Sequence, residues 1–135
     1  MPKTINAQGT TIAFGTSSFS MNIDSFELPE AQRNSIRTSH LGTTGAHTFM
    51  PSKLIDNGEL VINGHLDPDI DPPVGAAAET ITITFPLESG ETTAANWQFS
   101  GYMTAYGGTG DGDDDKATAR AVVKVTGAVT RTAAT

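Results

Sequence analysis

Cysteine is absent from the 135 residues. The chain can therefore form no disulfide framework, no thiolate zinc site and no thiol nucleophile, and any chemistry falls to hydroxyls, carboxylates and three histidines. Cations are also scarce, with eight Lys and Arg scattered against 15 Asp and Glu for a net charge of −7. Reading DNA by phosphate neutralisation needs clustered cations, so sequence-specific DNA binding is excluded. No run of 18 apolar residues exists, and the opening MPKTINAQGTT has no apolar stretch behind its lysine, which predicts neither a membrane span nor a signal peptide. Large apolar residues are few. Leu, Ile, Val and Phe number 27, one residue in five, at the lower edge of what buries enough surface for a chain to fold alone.

What is plentiful is Thr, at 20 residues, with 14 Gly and seven Pro. β-Branched side chains fit a pleated surface, and Gly and Pro punctuate it. Residues 79–85, ETITITF, alternate strictly, with Ile81, Ile83 and Phe85 on one face and threonines on the other. Residues 59–66 place Leu60, Ile62 and Leu66 on one face, with Gly64 marking a bulge or a close backbone approach. Residues 97–106 place Trp97, Phe99, Met103 and Ala105 together, leaving Tyr102 and Tyr106 for the surface. Residues 117–126 bring Ala117, Ala119, Ala121, Val123 and Val125 to one face. Residues 10–14, 19–27 and 35–41 are further strand candidates. No window of about 11 residues holds a helical spacing, and only residues 51–55 and 73–78 suggest short turns of helix. The pattern predicts one all-β domain over residues 1–135, an antiparallel sandwich or barrel of six to seven strands with at most one or two short helices.

Three segments read as irregular. Residues 43–56 form a long loop holding Phe49, Met50, Leu54 and Ile55, and four large apolar side chains in a loop of that length imply a docking task. Residues 1–9 and 127–135 read as polar, mobile arms. Two acidic loops carry Asp67, Asp69 and Asp71, and Asp111, Asp113, Asp114 and Asp115. Their spacing invites calcium, but Pro72 and Lys116 occupy the place where the calcium loop needs Gly, so no metal and no cofactor is expected. His40, His47 and His65 lack any zinc spacing, and no G-x-S-x-G elbow supports a hydrolytic triad, so the chain is not expected to be an enzyme.

The order of these signals resembles the tail tube, or major tail, proteins of long-tailed bacteriophages. SIRTSHLGTTGAHTFMPSKLIDNGELVINGHLDPD over residues 35–69 is similar to that family's strand, long loop, Pro-led turn, Gly-led strand and acidic turn. ETITITFP, WQFSGYMTAYGG and DDDKATARAVVKVTG resemble its closing strands. The chain departs where the family carries a helix between the strands matching residues 59–66 and 79–85, since only residues 73–78 are available there. The resemblance implies a virion protein, made in the bacterial cytoplasm, that closes into six-membered rings and stacks them into a hollow conduit for the genome. Its implied partners are copies of itself, then tape-measure, tail terminator and tail tip proteins, with DNA passing through and no membrane insertion. Six copies at −7 would carry −42 per ring, a sign that favours sliding of DNA over adhesion. Loop 43–56, with His47, Phe49, Met50, Pro51, Leu54 and Ile55, is the expected contact between subunits. A calcium- or carbohydrate-binding sandwich and a tube protein of an injection or secretion apparatus are the alternatives.

Overall fold

The computed structural model describes residues 3–110, 112–113 and 115–135. Eight strands form: β1 (Thr11–Phe14), β2 (Ile23–Glu27), β3 (Gln32–Arg37), β4 (Phe49–Asp56), β5 (Glu59–His65), β6 (Glu79–Thr84), β7 (Asn96–Thr109) and β8 (Thr118–Thr132). Six make one antiparallel sheet in the order β1-β6-β7-β8-β5-β2, while β3 and β4 pair only with each other. No helix occurs among the described residues; residues 73–78 are a turn in which Ala76 N–H donates to the Pro73 carbonyl.

The sheet curls around one apolar face. Leu60, Ile62, Ile81, Ile83, Phe99, Met103, Ala121, Val123 and Val125 line its inside, as the two-residue alternation predicts. Curling brings the edges toward each other, and residues 7–10 ahead of β1 face β2 across a cleft of about 710 Å³. The link from β1 to β2 crosses the mouth of this core. Phe19 is buried there edge-on to Phe14 and Tyr106, with ring centroids 5.2 and 5.9 Å away. Of residues 19–27, therefore, only the second half is strand.

A buried carboxylate fixes that crossing. Glu79 is 8% exposed, and its Oε1 accepts from Thr16 N–H (3.1 Å), Ser17 N–H (3.0 Å) and Ser17 Oγ (3.0 Å). These bonds hold the turn at Ser18, whose φ of 56° lies in the left-handed region. Replacing Glu79 by Ala strands two backbone donors beside the core. We expect a loss of about 2 kcal/mol, read as a lowered urea midpoint at unchanged slope.

Bulges redirect two segments that strict alternation misplaces. Between Met103 and Ala105, β7 gains one residue relative to β8, so Ala105 turns outward and Tyr106 turns into the core. Tyr106 is thus half-buried against the core rather than on the surface. Further along, Ser100 pairs with Thr126 but Gln98 pairs with Thr130, the extra β8 residues being absorbed at Gly127, whose φ is +84°. The expected mobile arm 127–135 is therefore mostly the end of β8. Val129 packs on the core, the Arg131 guanidinium lies 4.4 Å from the Trp97 ring centre, and Thr135 exchanges backbone bonds with Thr92 and Thr93. At the other end, residues 3–9 stay outside the strands, with Lys3 paired to Glu91.

Candidate assembly surface

The expected loop 43–56 is not a loop throughout. Its second half, Phe49–Asp56, is β4, antiparallel to β3 through the pairs Gln32 with Asp56, Arg33 with Ile55, Ser35 with Pro51, Ile36 with Met50 and Arg37 with Phe49. A register shift between Arg33 and Ser35 absorbs extra β4 residues, and Pro51 is tolerated because a two-stranded ribbon leaves outer N–H groups unused. The short helical turn considered at residues 51–55 does not form. One more rung, Thr38 N–H to the Thr48 carbonyl at 2.9 Å, extends the ladder before the tip.

This hairpin stands free of the sheet. Every residue of β3 is exposed, and so is all of β4 except half-buried Ser52. Phe49 is 61% exposed and Leu54 82%, and Ile36, Leu41, Met50 and Ile55 are exposed as well. An isolated two-stranded ribbon is marginal in water, and the apolar side chains of this one are uncovered. The expected residues Phe49, Met50, Pro51, Leu54 and Ile55 do come together on β4, while His47 sits at the tip.

At the hairpin root, Asp56 Oδ1 accepts from Gly58 N–H and Lys124 Nζ, each at 2.9 Å. Those two contacts hold the Asp56 carboxyl below the usual carboxylate range, and the same carboxylate raises Lys124. The contribution of this bridge is present at neutral pH. It is lost as pH falls through the lowered Asp56 value, and again as pH rises through the raised Lys124 value.

The acidic loops lie at the opposite end of the sheet. β5 begins at the hairpin root, where Glu59 pairs with Lys124, and ends where His65 pairs with Thr118. From that second end depart both the segment bearing Asp67, Asp69 and Asp71 and the one bearing Asp113 and Asp115, tied at their bases by Leu66 N–H to the Ala117 carbonyl. Asp111 and Asp114 lie outside the described residues. Nearby, Asp24 bonds Lys116 Nζ at 2.7 Å and His65 Nε2 at 3.3 Å, and the Lys116 contact leads in lowering the Asp24 pKa. Among the described residues no three His, Asp or Glu side chains gather as a metal site.

Two other readings lose their geometry. His47 Nδ1 is 3.3 Å from Ser39 Oγ, but its Nε2 faces Arg37 Nη2 at 3.5 Å, and a cation cannot do the work of a triad carboxylate. For sugar stacking, Trp97 packs edge-on to Phe85 at 5.9 Å and under Arg131, and Tyr106 is packed against the core, which leaves Tyr102 alone on the outer face.

The curled antiparallel sheet with its protruding hairpin is similar in fold to two solved structures. The chain matches the sheath/tube terminator of an extracellular contractile injection system, PVC, with a TM-score of 0.74 at 13% identity over 98% of this chain and 99% of that one. It matches the tube-terminating cap of the anti-feeding prophage with a TM-score of 0.73 at 14% identity, covering 98% and 93%. No protein-family profile matches the chain, and no curated protein matches it significantly.

Proposed function

We propose that this protein is a non-enzymatic structural subunit of a phage tail or tail-like injection particle, working as a ring at or along the tube. The free hairpin carries the reading. Six exposed large apolar residues on one ribbon outside the core need a protein neighbour, and the core of this small chain is thin enough to gain from one. The shared fold with two tube-terminating proteins supports the same class. A six-membered ring, a net negative conduit for DNA, and company with tape-measure, sheath and tip proteins are the finer parts of this proposal.

The sheet's outer face on β6 and β7 is neutral, presenting Thr80, Thr82, Thr84, Gln98, Ser100 and Thr104, with Arg120 and Lys124 on β8. Seven of the 15 acidic residues fall in the two stretches 67–71 and 111–115, so a negative bore is favoured where those stretches border it. Negative-stain microscopy of the purified protein tests the assignment. Rings or short tubes with a central opening are expected, and a monodisperse monomer at all concentrations, alone and with tube protein, would overturn it.

A further inference from the structure

Asparagine followed by glycine occurs twice in the chain, at Asn57-Gly58 and at Asn63-Gly64. This dipeptide carries its own reaction. The glycine backbone nitrogen can attack the asparagine side-chain carbonyl carbon, because glycine has no β-carbon to hinder the approach. An N–Cγ bond forms, the Cγ–Nδ2 bond breaks, and the glycine amide proton leaves with that nitrogen as ammonia. Water then opens the succinimide ring at either carbonyl, giving aspartate or isoaspartate, and no other co-reactant is consumed. Attack requires a peptide unit free to rotate until its nitrogen faces Cγ.

The fold treats the two copies differently. Asn63 and Gly64 lie inside β5, paired to Arg120 and Ala119 of β8 on one side and to Ser25 and Ile23 of β2 on the other. Rotation there would open the middle of the sheet. Asn57 and Gly58 instead form the corner between β4 and β5, outside both ladders. Three contacts close that corner: Gly58 N–H donates to Asp56 Oδ1 at 2.9 Å, the Gly58 carbonyl accepts from Val125 N–H at 3.1 Å, and Asn57 Nδ2 donates to the Gly127 carbonyl at 2.7 Å. The first ties down the attacking nitrogen and the last ties down the leaving one. The corner also imposes the glycine, since Gly58 has a φ of +76° and a β-carbon on it would lie 2.7 Å from the Glu30 carbonyl oxygen.

We infer that Asn57 is a self-modification site latched by the hairpin root: it deamidates when the contact between Asp56 and Gly58 opens, while Asn63 stays intact. That opening is local, because the ladders on either side of the corner need not break. The product acts where the hairpin meets the sheet. A carboxylate at position 57 can no longer donate to Gly127, and it adds charge beside a cleft already lined by Glu27, Glu30, Asp56 and Glu59 around Lys124. Isoaspartate also lengthens the main chain by one carbon at a two-residue corner. Either product loosens the angle at which the exposed apolar ribbon leaves the sheet.

The test incubates the folded full-length chain, its Asp56→Ala and Glu79→Ala variants, and the wild-type chain unfolded in urea, all in mildly alkaline buffer. Peptide mass spectrometry follows deamidation at each asparagine over time. In urea both sites should react at comparable rates. In the folded wild type Asn57 should react slowly and Asn63 not at all. Asp56→Ala should speed Asn57 by about tenfold, since a hydrogen bond to a charged group is lost, and leave Asn63 silent. Glu79→Ala weakens the fold far from this corner, so the Asn57 rate should stay at the wild-type value. If Asp56→Ala unfolds the chain, Asn63 reacts as well, and Lys124→Ala, which removes the other partner of the Asp56 carboxylate, serves in its place. An Asn57 rate unmoved by opening the root, a rise shared by Glu79→Ala, a folded rate equal to that in urea, or reaction at Asn63 in the folded chain overturns the inference.

Discussion

Gly64→Ala should lower the melting temperature by roughly 10 °C, a cost of about 2 to 4 kcal/mol, whereas Gly75→Ala should be silent. A β-carbon at Gly64 would lie 2.0 Å from the Asn22 carbonyl oxygen and 3.1 Å from the Ile23 α-carbon. Both obstacles are backbone, so no side chain can swing aside. That same Asn22 oxygen accepts from His65 N–H at 2.9 Å, so the steric conflict also breaks the hydrogen bond that seats the start of β2 on β5. The register there already shifts between Ile23 and Ser25, leaving little freedom to accommodate an added methyl group. Gly75 has nothing within 4 Å and no left-handed φ, which makes it the matched control. A thermal melt of the two variants decides the matter. Equal stability of both would show that β2 does not approach β5 this closely in solution.

The second large effect is on assembly rather than on folding. Phe49→Asp with Leu54→Asp should abolish rings or tubes in the microscope while leaving the melting temperature within about 2 °C of wild type. Both side chains project from the hairpin without contributing to the core, so the monomer loses no packing. Any assembled interface, by contrast, would have to bury two carboxylates in place of two of its largest apolar groups. Fully buried, those groups contribute about 1.5 to 3 kcal/mol each, and an unpaired buried charge costs more still. Assemblies of normal abundance from the double variant would remove the hairpin from the interface. A collapse of the melting temperature would instead mean that the hairpin packs on the sheet.

The strands around the core were legible because period-two alternation has a direct physical cause. Residues 79–85 and 59–66 each have one wet and one dry face, and both are strands in the sheet. Gly64 was legible for the same reason, being a missing side chain inside such a pattern. The hairpin was not. FMPSKLID is apolar on both faces and interrupted by proline, and β4 is exposed almost throughout. Its apolar content suggests a docking role, and the structure shows those side chains to be exposed. Tyr106 was misplaced because a one-residue bulge reverses every later side chain, and nothing in WQFSGYMTAY marks where it falls. The strand after Gly127 was hidden by its small residues, AVTRTAAT, whose pairing depends on distant partners in β7 and at Thr92 and Thr93.

The position of β8 in the sheet has a consequence for how the molecule is made. It lies between β7 and β5, yet it is the last of the eight strands to leave the ribosome. Until it arrives, β1, β6 and β7 form one fragment and β5 with β2 another, with no strand to bridge them. The β5–β8 pairings that join the two halves of the sheet span up to nearly half the chain, as Glu59 with Lys124 does, and such long-range pairing forms late. A growing chain therefore exposes its apolar hairpin before β8 has joined the two halves of the sheet that carries it.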